Sequence, residues 1–349
     1  MRNDVKQHVP GRFVRVLGTA HHVVVDEAAP ARKPDVADVS ATGWTCAGLN
    51  GADPAGSGGV QVPTVLFTSG LGGAWYDWDT VVALLIAEYG QPDRPTLVRF
   101  DRPGLGWSEP AAAPPTAEGE AERIALLLDA LGLPGPCVVV AHSMAAFHAE
   151  AFARLYPART AGLVLVDASA EPDAIAPAGF EQRVRRARTL GAALRATGAG
   201  AAISPAVRRL VTAATSVRRT DPADPAQLSA STAAGRPLAA ALMENAVYLD
   251  QAAQLLELRC EKPFPPVPLT VLAALGAARA ERRIVPGGML ALKREGWRSR
   301  QHDLAALSPC GRLVGLPDSA HHIPFDRPDA VADAVLGVLD QHCRIGRTR

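Results

Sequence analysis

Cys137-Val138-Val139-Val140-Ala141-His142-Ser143-Met144-Ala145-Ala146-Phe147-His148-Ala149 is the stretch on which the fold turns. A run of β-branched valines ends abruptly at a serine, and an alanine-rich, helix-forming segment continues to Pro157. The order is strand, tight turn, helix, with a hydroxyl at the tip. That is the layout of a nucleophile elbow, in which the serine occupies a strained turn where strand and helix almost touch. Side chains two residues either side must then be small. Here they are Ala141 and Ala145, where glycines are usual.

Outward from the elbow the same alternation repeats. Upstream, Phe13-Val14-Arg15-Val16 and His22-Val23-Val24-Val25 read as early strands. Glu27 to Val60, rich in Ala, Pro, Gly and Asp, reads as a long excursion with a short strand near Trp44-Thr45-Cys46. Pro63 to Thr68 is a buried-type strand running into Ser69-Gly70-Leu71-Gly72-Gly73, and Asp79 to Tyr89 is a plausible helix. The strand Thr96 to Phe100 ends in Asp101-Arg102-Pro103-Gly104-Leu105-Gly106-Trp107-Ser108. Thr116 can cap a helix whose Ile124, Leu127, Leu128 and Leu131 recur at helical spacing, with Gly132 and Pro134 as its stop. Downstream, Gly162 to Val166 is a continuous apolar strand ending in Asp167. Strands apolar throughout, alternating with helices, indicate a mostly parallel sheet covered on both faces.

The pattern changes between residues 171 and 262. Strand signals vanish, and Ala/Arg-rich helices are predicted at Phe180 to Ala196, Pro205 to Val217 and Leu238 to Leu258. The αβ alternation resumes with strand Val267 to Leu272, helix Met289 to Leu307, strand Arg312 to Leu316, the loop Asp318-Ser319-Ala320-His321-His322 and a closing helix Asp329 to Gln341. The organisation is an α/β core formed by residues 1–170 and 263–349, with a helical insertion at 171–262.

Composition narrows the function classes. The 349 residues carry a formal charge of +1, which favours neither nucleic acid nor an anionic membrane as partner. No apolar run reaches the roughly 18 residues of a membrane span. Met1 to Gly18 is mixed polar and lacks the apolar core of a signal peptide. The five cysteines, at 46, 137, 260, 310 and 343, show neither CxxC pairing nor zinc spacing, so reduced thiols and a cytoplasmic location are expected.

Four anchors in order — Ser69 to Gly73, Asp101 to Ser108, Ala141 to Ala145, and Ser319 to His322 ahead of Arg327-Pro328 — make the chain resemble the α/β-hydrolase superfamily over about residues 63–343. Within it the chain is similar to serine esterase-like and aminopeptidase-like members that carry a helical cap. The resemblance implies an α/β-hydrolase fold with residues 171–262 lying over the active site as a lid, and hydrolysis of an acyl bond in a small-molecule substrate, a carboxylic ester first. Peptidase, lactonase, thioesterase or acyltransferase chemistry would use the same apparatus, and a hydrolase fold that binds a ligand without turnover is a further alternative. No cofactor or metal is implied.

The resemblance also implies roles. Ser143 is the expected nucleophile, which needs a base within hydrogen-bond reach. His321, preceded by the small Ala320, is the expected base, with His322 its competitor. The acid that orients the imidazole is open. The family's usual place, after the strand that follows the insertion, reads Leu275-Gly276-Ala277-Ala278-Arg279-Ala280-Glu281 and holds no aspartate. Asp167, one strand earlier, is the leading candidate and Glu281 the alternative, with Asp303, Asp318 or no acid at all behind them. Backbone N–H groups of Leu71 and Met144 are expected to form the oxyanion hole. Gly70, Gly72, His142 and Trp107 are expected to line the pocket, and His148 to be helix surface or packing. Nine arginines between 181 and 220, against the single acid Glu181, read either as a solvated face or as attraction for acidic ligands.

Overall fold

The computed structural model describes residues 9–27, 62–88, 94–213, 215, 225–233 and 235–347. In chain order the first half holds β1 (Arg12–Val16), β2 (Thr19–Asp26), β3 (Thr64–Thr68), α1 (Asp79–Glu88), β4 (Leu97–Phe100), α2 (Ala117–Ala130), β5 (Cys137–His142), α3 (Ala145–Leu155) and β6 (Thr160–Val166). Then come α4 (Phe180–Ala196), α5 (Ala199–Ala213), α6 (Pro225–Thr232), α7 (Arg236–Ala246) and α8 (Tyr248–Glu261). The chain closes with β7 (Leu269–Ala274), α9 (Glu281–Ile284), α10 (Gly287–Ala305), β8 (Gly311–Leu316), α11 (Ile323–Asp326) and α12 (Pro328–Arg347).

The eight strands form one sheet in the order β1-β2-β4-β3-β5-β6-β7-β8. β1 and β2 form an antiparallel hairpin, and β2 runs antiparallel to β4. All other pairings are parallel. The central strands β4, β5, β6 and β7 are buried at every position, whereas the edge strands β1 and β8 alternate with exposed residues. This is why the inner strands read as unbroken apolar runs: each residue faces one of two covering layers. Along β5, Val138 and Val140 join the core beneath α1 and α12, while Val139 and Ala141 join the core shared with α2, α3 and α8.

The local signals act as their chemistry requires. The Thr116 hydroxyl accepts the Gly119 N–H at 3.0 Å and starts α2, and Gly132 at φ +75° follows its last turn. The sheet reverses its winding between β3 and β5, whose C-terminal ends carry Gly70 and Ser143. A crevice at such a switch point is where open α/β sheets bind ligands.

The helices between β6 and β7 differ most from expectation. The continuous helix predicted over Leu238 to Leu258 is two helices, broken at the fully buried Val247 (φ −115°, ψ 14°). No glycine or proline marks this break. It lets Glu244 and Gln251 turn inward onto different parts of the core, toward Arg102 and His148. α5 begins at Ala199 and carries Pro205 inside it, rather than starting there, and α6 was not predicted. The excursion expected beyond Glu27, with its strand at Trp44 to Cys46, lies outside the described residues. Among the described residues no helix is long and apolar enough to cross a membrane, and no group of three or more His, Cys, Asp or Glu side chains could hold a metal ion.

Candidate active site

Ser143 stands at the end of β5 with φ +53°, in the left-handed region that a residue with a side chain rarely adopts. The turn is fixed on both sides. The Ser143 N–H donates to Val166 O at 3.0 Å, and its own carbonyl accepts Ser169 N–H at 3.1 Å and Ala146 N–H at 3.0 Å. Ala141 and Ala145 are fully buried, so a methyl group fits at each of these positions.

His321 Nε2 lies 3.0 Å from Ser143 Oγ, and His321 Nδ1 lies 2.6 Å from Asp167 Oδ2. Serine, histidine and aspartate, distant in sequence, thus form one hydrogen-bonded chain. Asp167 is the second strained residue, at φ +42°, and is almost wholly buried. Its Oδ1 accepts the Ala274 N–H at 2.8 Å and the Trp297 indole N–H at 2.7 Å, which leaves Oδ2 for the imidazole. At Gly276, in the turn after β7, there is no room for a side chain. Gly276 donates its N–H to Ser319 O at 2.8 Å, and a Cβ there would come within 2.5 Å of the same oxygen.

The other candidate acids lie elsewhere. Glu281 pairs with Lys293 at 2.5 Å. Asp318 pairs with Arg327, and Asp303 is exposed beside His302. Asp326 anchors the histidine loop by accepting the Ala320 N–H at 2.8 Å. His322 lines the same cavity as the serine and stacks on Phe325, with ring centroids 5.5 Å apart. Burial, together with His321 and Arg208, pushes its imidazole down to about 3, so it is neutral near pH 7. His142 donates from Nε2 to His321 O at 2.9 Å, and burial holds its imidazole well below the usual histidine range. It therefore positions the base loop as an uncharged donor. His148 is packed inside rather than on the surface: Nε2 meets Gln251 Oε1 at 2.8 Å, and burial, aided by Arg102, lowers it to about 4.

The Ser69–Gly73 turn faces the serine. A Cβ at Gly70 would sit 2.8 Å from His142 Nδ1 and 3.2 Å from Ser143 Cβ, so only glycine allows the turn to approach the elbow this closely. Leu71 lines the serine cavity and is 40 % exposed, while the Met144 side chain is fully buried in the core and its backbone begins α3. The turn is held from behind. The buried Arg102 donates to the carbonyls of Ser69 and Gly70, the latter at 2.7 Å. Arg102 also pairs with Glu244 of α7 at 2.8 Å, and the other Glu244 oxygen accepts the Gly72 N–H at 2.8 Å. One carboxylate from α7 thereby fixes both the turn and the guanidinium that holds it.

Trp107 does not line the serine cavity, contrary to expectation. Its backbone N–H donates to Asp101 Oδ2 at 3.1 Å, beside Gly106 at φ +47°. Asp101 also receives His22 Nδ1 and Trp75 N–H, both at 2.9 Å, so its segment is architectural.

The cavity over Ser143 encloses about 320 Å³ and is largely apolar, with Tyr76, Val207, Leu228, Leu238, Pro324 and Phe325 around it. Gly70, Gly72 and His142 are among the residues around it. Among the described residues its one guanidinium, Arg208 of α5, pairs with Asp77 at 2.5 Å and lies over the Tyr76 and Phe325 rings.

Glu244 and Trp297 were not anticipated from sequence. Glu244 carries a faint signal, as the lone carboxylate in the Ala-rich α7. Trp297, in the mostly exposed α10, carries none.

Solved structures share this architecture. An esterase from Thermogutta terrifontis, with malate bound, aligns with TM-score 0.58 and 20% identity over 96% of this chain and 99% of its own. Cfl2 from Burkholderia cenocepacia aligns with TM-score 0.61 and 20% identity, covering 93% and 94%. An enol-lactonase from Burkholderia xenovorans aligns with TM-score 0.57 and 18% identity, covering 94% and 100%. At such identities the likeness concerns the fold. No curated protein matches the sequence significantly. The sequence model described as the Alpha/beta hydrolase family matches residues 65–334, more than three quarters of the chain. The chain belongs to the alpha/beta hydrolase family.

Proposed function

We propose that the protein is a serine hydrolase that cleaves a small, largely apolar carboxylic ester through Ser143, His321 and Asp167. The observation that carries this reading is the pair of hydrogen bonds joining Ser143 Oγ to His321 at 3.0 Å and His321 to Asp167 at 2.6 Å, at a strained turn that opens into a cavity. A serine hydroxyl is a poor nucleophile unless a base takes its proton as it attacks. His321 Nε2 is that base. Asp167 Oδ2 accepts the proton on Nδ1, fixes the tautomer and stabilises the imidazolium.

Ser143 Oγ attacks the ester carbonyl carbon, and its proton passes to His321. The oxygen that gains the negative charge is received by the N–H groups of Leu71 and Met144. When the tetrahedral adduct collapses, the bond to the alcohol oxygen breaks and His321 returns the proton to it. The acyl group remains on Ser143. Water then gives a proton to His321 and attacks the acyl carbon, releasing a carboxylic acid and regenerating the serine. Residues 171–262 act as the lid over this chemistry. Their contribution of Val207, Leu228 and Leu238 to the cavity supports that role, as does the Glu244 clamp on the glycine turn.

A fluorophosphonate probe tests the reading. Ser143 is expected to be covalently labelled in the folded protein, and Ser143→Ala to resist labelling. Absence of labelling in folded wild-type protein would overturn the hydrolase reading. A panel of short-chain aryl esters, aminoacyl anilides and lactones then separates ester hydrolysis from the peptidase and lactonase alternatives.

A further inference from the structure

Behind the glycine turn lies a second cavity, of about 390 Å³, that shares no lining residue with the serine cavity. Arg102 and Glu244, whose polar atoms clamp Ser69, Gly70 and Gly72, stand in its wall. Two helices of the insertion form its sides. On α4 the residues Arg188, Gly191, Ala192 and Arg195 share one face at helical spacing. On α7 the facing residues run from Arg236 through Ala239 and Ala240 to Met243. The helices meet closely: a Cβ on Gly191 would lie 2.8 Å from Ala239 Cβ. The arginines are thus set on either side of a small-residue seam. The loop from Pro110 to Pro115 forms the floor.

The charges in this cavity do not cancel. Its two carboxylates are already paired, Glu120 with Arg123 and Glu244 with Arg102. Among the described residues, Arg188, Arg195 and Arg236 form no ion pair. Arg188 donates one bond, to Ala112 O at 2.7 Å. The Arg236 Nε is buried without a hydrogen-bond partner, and a buried donor left unpaired costs free energy. Beyond these heads the walls are apolar, with Pro110, Pro114, Ala187, Ala192, Ala240 and Met243. A purely solvated arginine face has no need of a concave apolar body beside it.

We infer that this cavity is a binding site for an amphipathic organic anion. Its carboxylate or phosphate head is held by Arg188, Arg195 and Arg236, and its apolar body lies against the Ala/Pro-rich walls. Guanidinium forks bind such heads by charge-assisted hydrogen bonds. The ligand sits against the Arg102–Glu244 clamp, so its occupancy is read directly at the turn facing Ser143. The site itself does not depend on whether Ser143 is catalytic.

Isothermal titration of the full-length protein with octanoate tests the inference, with inorganic phosphate and 1-octanol as head-only and body-only probes. Octanoate is expected to bind at least tenfold more tightly than either. Arg188→Gln combined with Arg195→Gln, both exposed positions, is expected to weaken octanoate at least tenfold, and Arg236→Gln to weaken it further. Ala192→Trp fills this cavity and is expected to abolish binding, whereas Leu238→Trp fills the serine cavity and is expected to leave it. Melting curves by circular dichroism identify any variant that is unfolded. Equal binding of phosphate or 1-octanol overturns the inference. So does octanoate affinity that survives the arginine substitutions, or that is lost in folded Leu238→Trp and retained in Ala192→Trp. Fluorophosphonate labelling of Ser143 reports separately on the hydrolase reading, so failure of one does not imply failure of the other.

Discussion

Ser143 and Asp167 are held at positive φ, and each pays for its backbone with chemistry: one presents a hydroxyl at the mouth of the sheet, the other a carboxylate to an imidazole. The strain gives a stability test. Ser143→Gly is expected to be more stable than Ser143→Ala by about 1 kcal/mol, because glycine accepts φ +53° without a Cβ clash. Equal melting temperatures for the two variants would show that the elbow stores no strain. At Asp167, asparagine also tolerates the left-handed region, so Asp167→Asn removes charge while sparing the turn. Turnover of an ester substrate is expected to fall by roughly 10⁴, with Glu281→Gln near normal, because Glu281 is occupied by Lys293 and makes no bond to His321. Collapse in Glu281→Gln with Asp167→Asn active would reverse the assignment. The serine and histidine were legible because each sits in a local pattern. The candidate acid was only half legible, because Asp167 meets His321 across 154 residues of chain, a contact that no local spacing records.

At the scale of elements, the strands were legible and the insertion was not, for one reason. A strand buried on both faces is mostly apolar, and that leaves a mark along β5, β6 and β7, with only His142, Thr160 and Thr270 as polar members. The helices between β6 and β7 bury fewer apolar residues, such as Val184, Ala187, Leu255 and Leu258, and add sparse polar contacts. Arg183 meets Asp250, Gln251 meets His148, and Glu244 meets Arg102. The break at Val247 follows from where those partners lie, not from a breaker residue. Two elements are thereby tied to the serine from outside the sheet. Glu244→Gln keeps the volume but leaves the buried Arg102 without a countercharge, a change that is strongly destabilising when uncompensated. A lower melting temperature and roughly tenfold slower phosphonylation of Ser143 are expected. An unchanged labelling rate would confine the clamp to stability. On α10, Trp297→Phe removes one of two donors to Asp167 Oδ1 and retains the ring. Loss of a hydrogen bond to a charged acceptor is expected to cost roughly tenfold in kcat with little change in KM. A KM effect alone would place Trp297 in substrate packing.

For the molecule as a whole, burial holds several histidines below the usual imidazole range, and this sets how it responds to acid. Burial lowers His148 to about 4 and His322 to about 3, and it also lowers His142, His21 and His342. In the unfolded chain these imidazoles take up protons near 6.5. Between that value and about 4 the unfolded state therefore binds more protons, and stability rises with pH. Each contribution is fully present above pH 6.5 and is lost as pH falls toward the folded value. Asp79 opposes this. Burial raises its carboxyl to about 6 against the pull of Arg99, so its contribution is present in acid and lost as pH rises through that value. It is one group against five, and the histidines prevail. Denaturant midpoints are expected to fall from about pH 7 to about pH 5, with His148 alone contributing on the order of 1–2 kcal/mol. His148→Asn is expected to flatten the dependence by that amount, while lowering stability at pH 7 through lost packing against Gln251. A variant whose midpoint falls with acid as steeply as the wild type would mean that His148 is protonated in the folded protein, and that its bond to Gln251 is carried by an imidazolium.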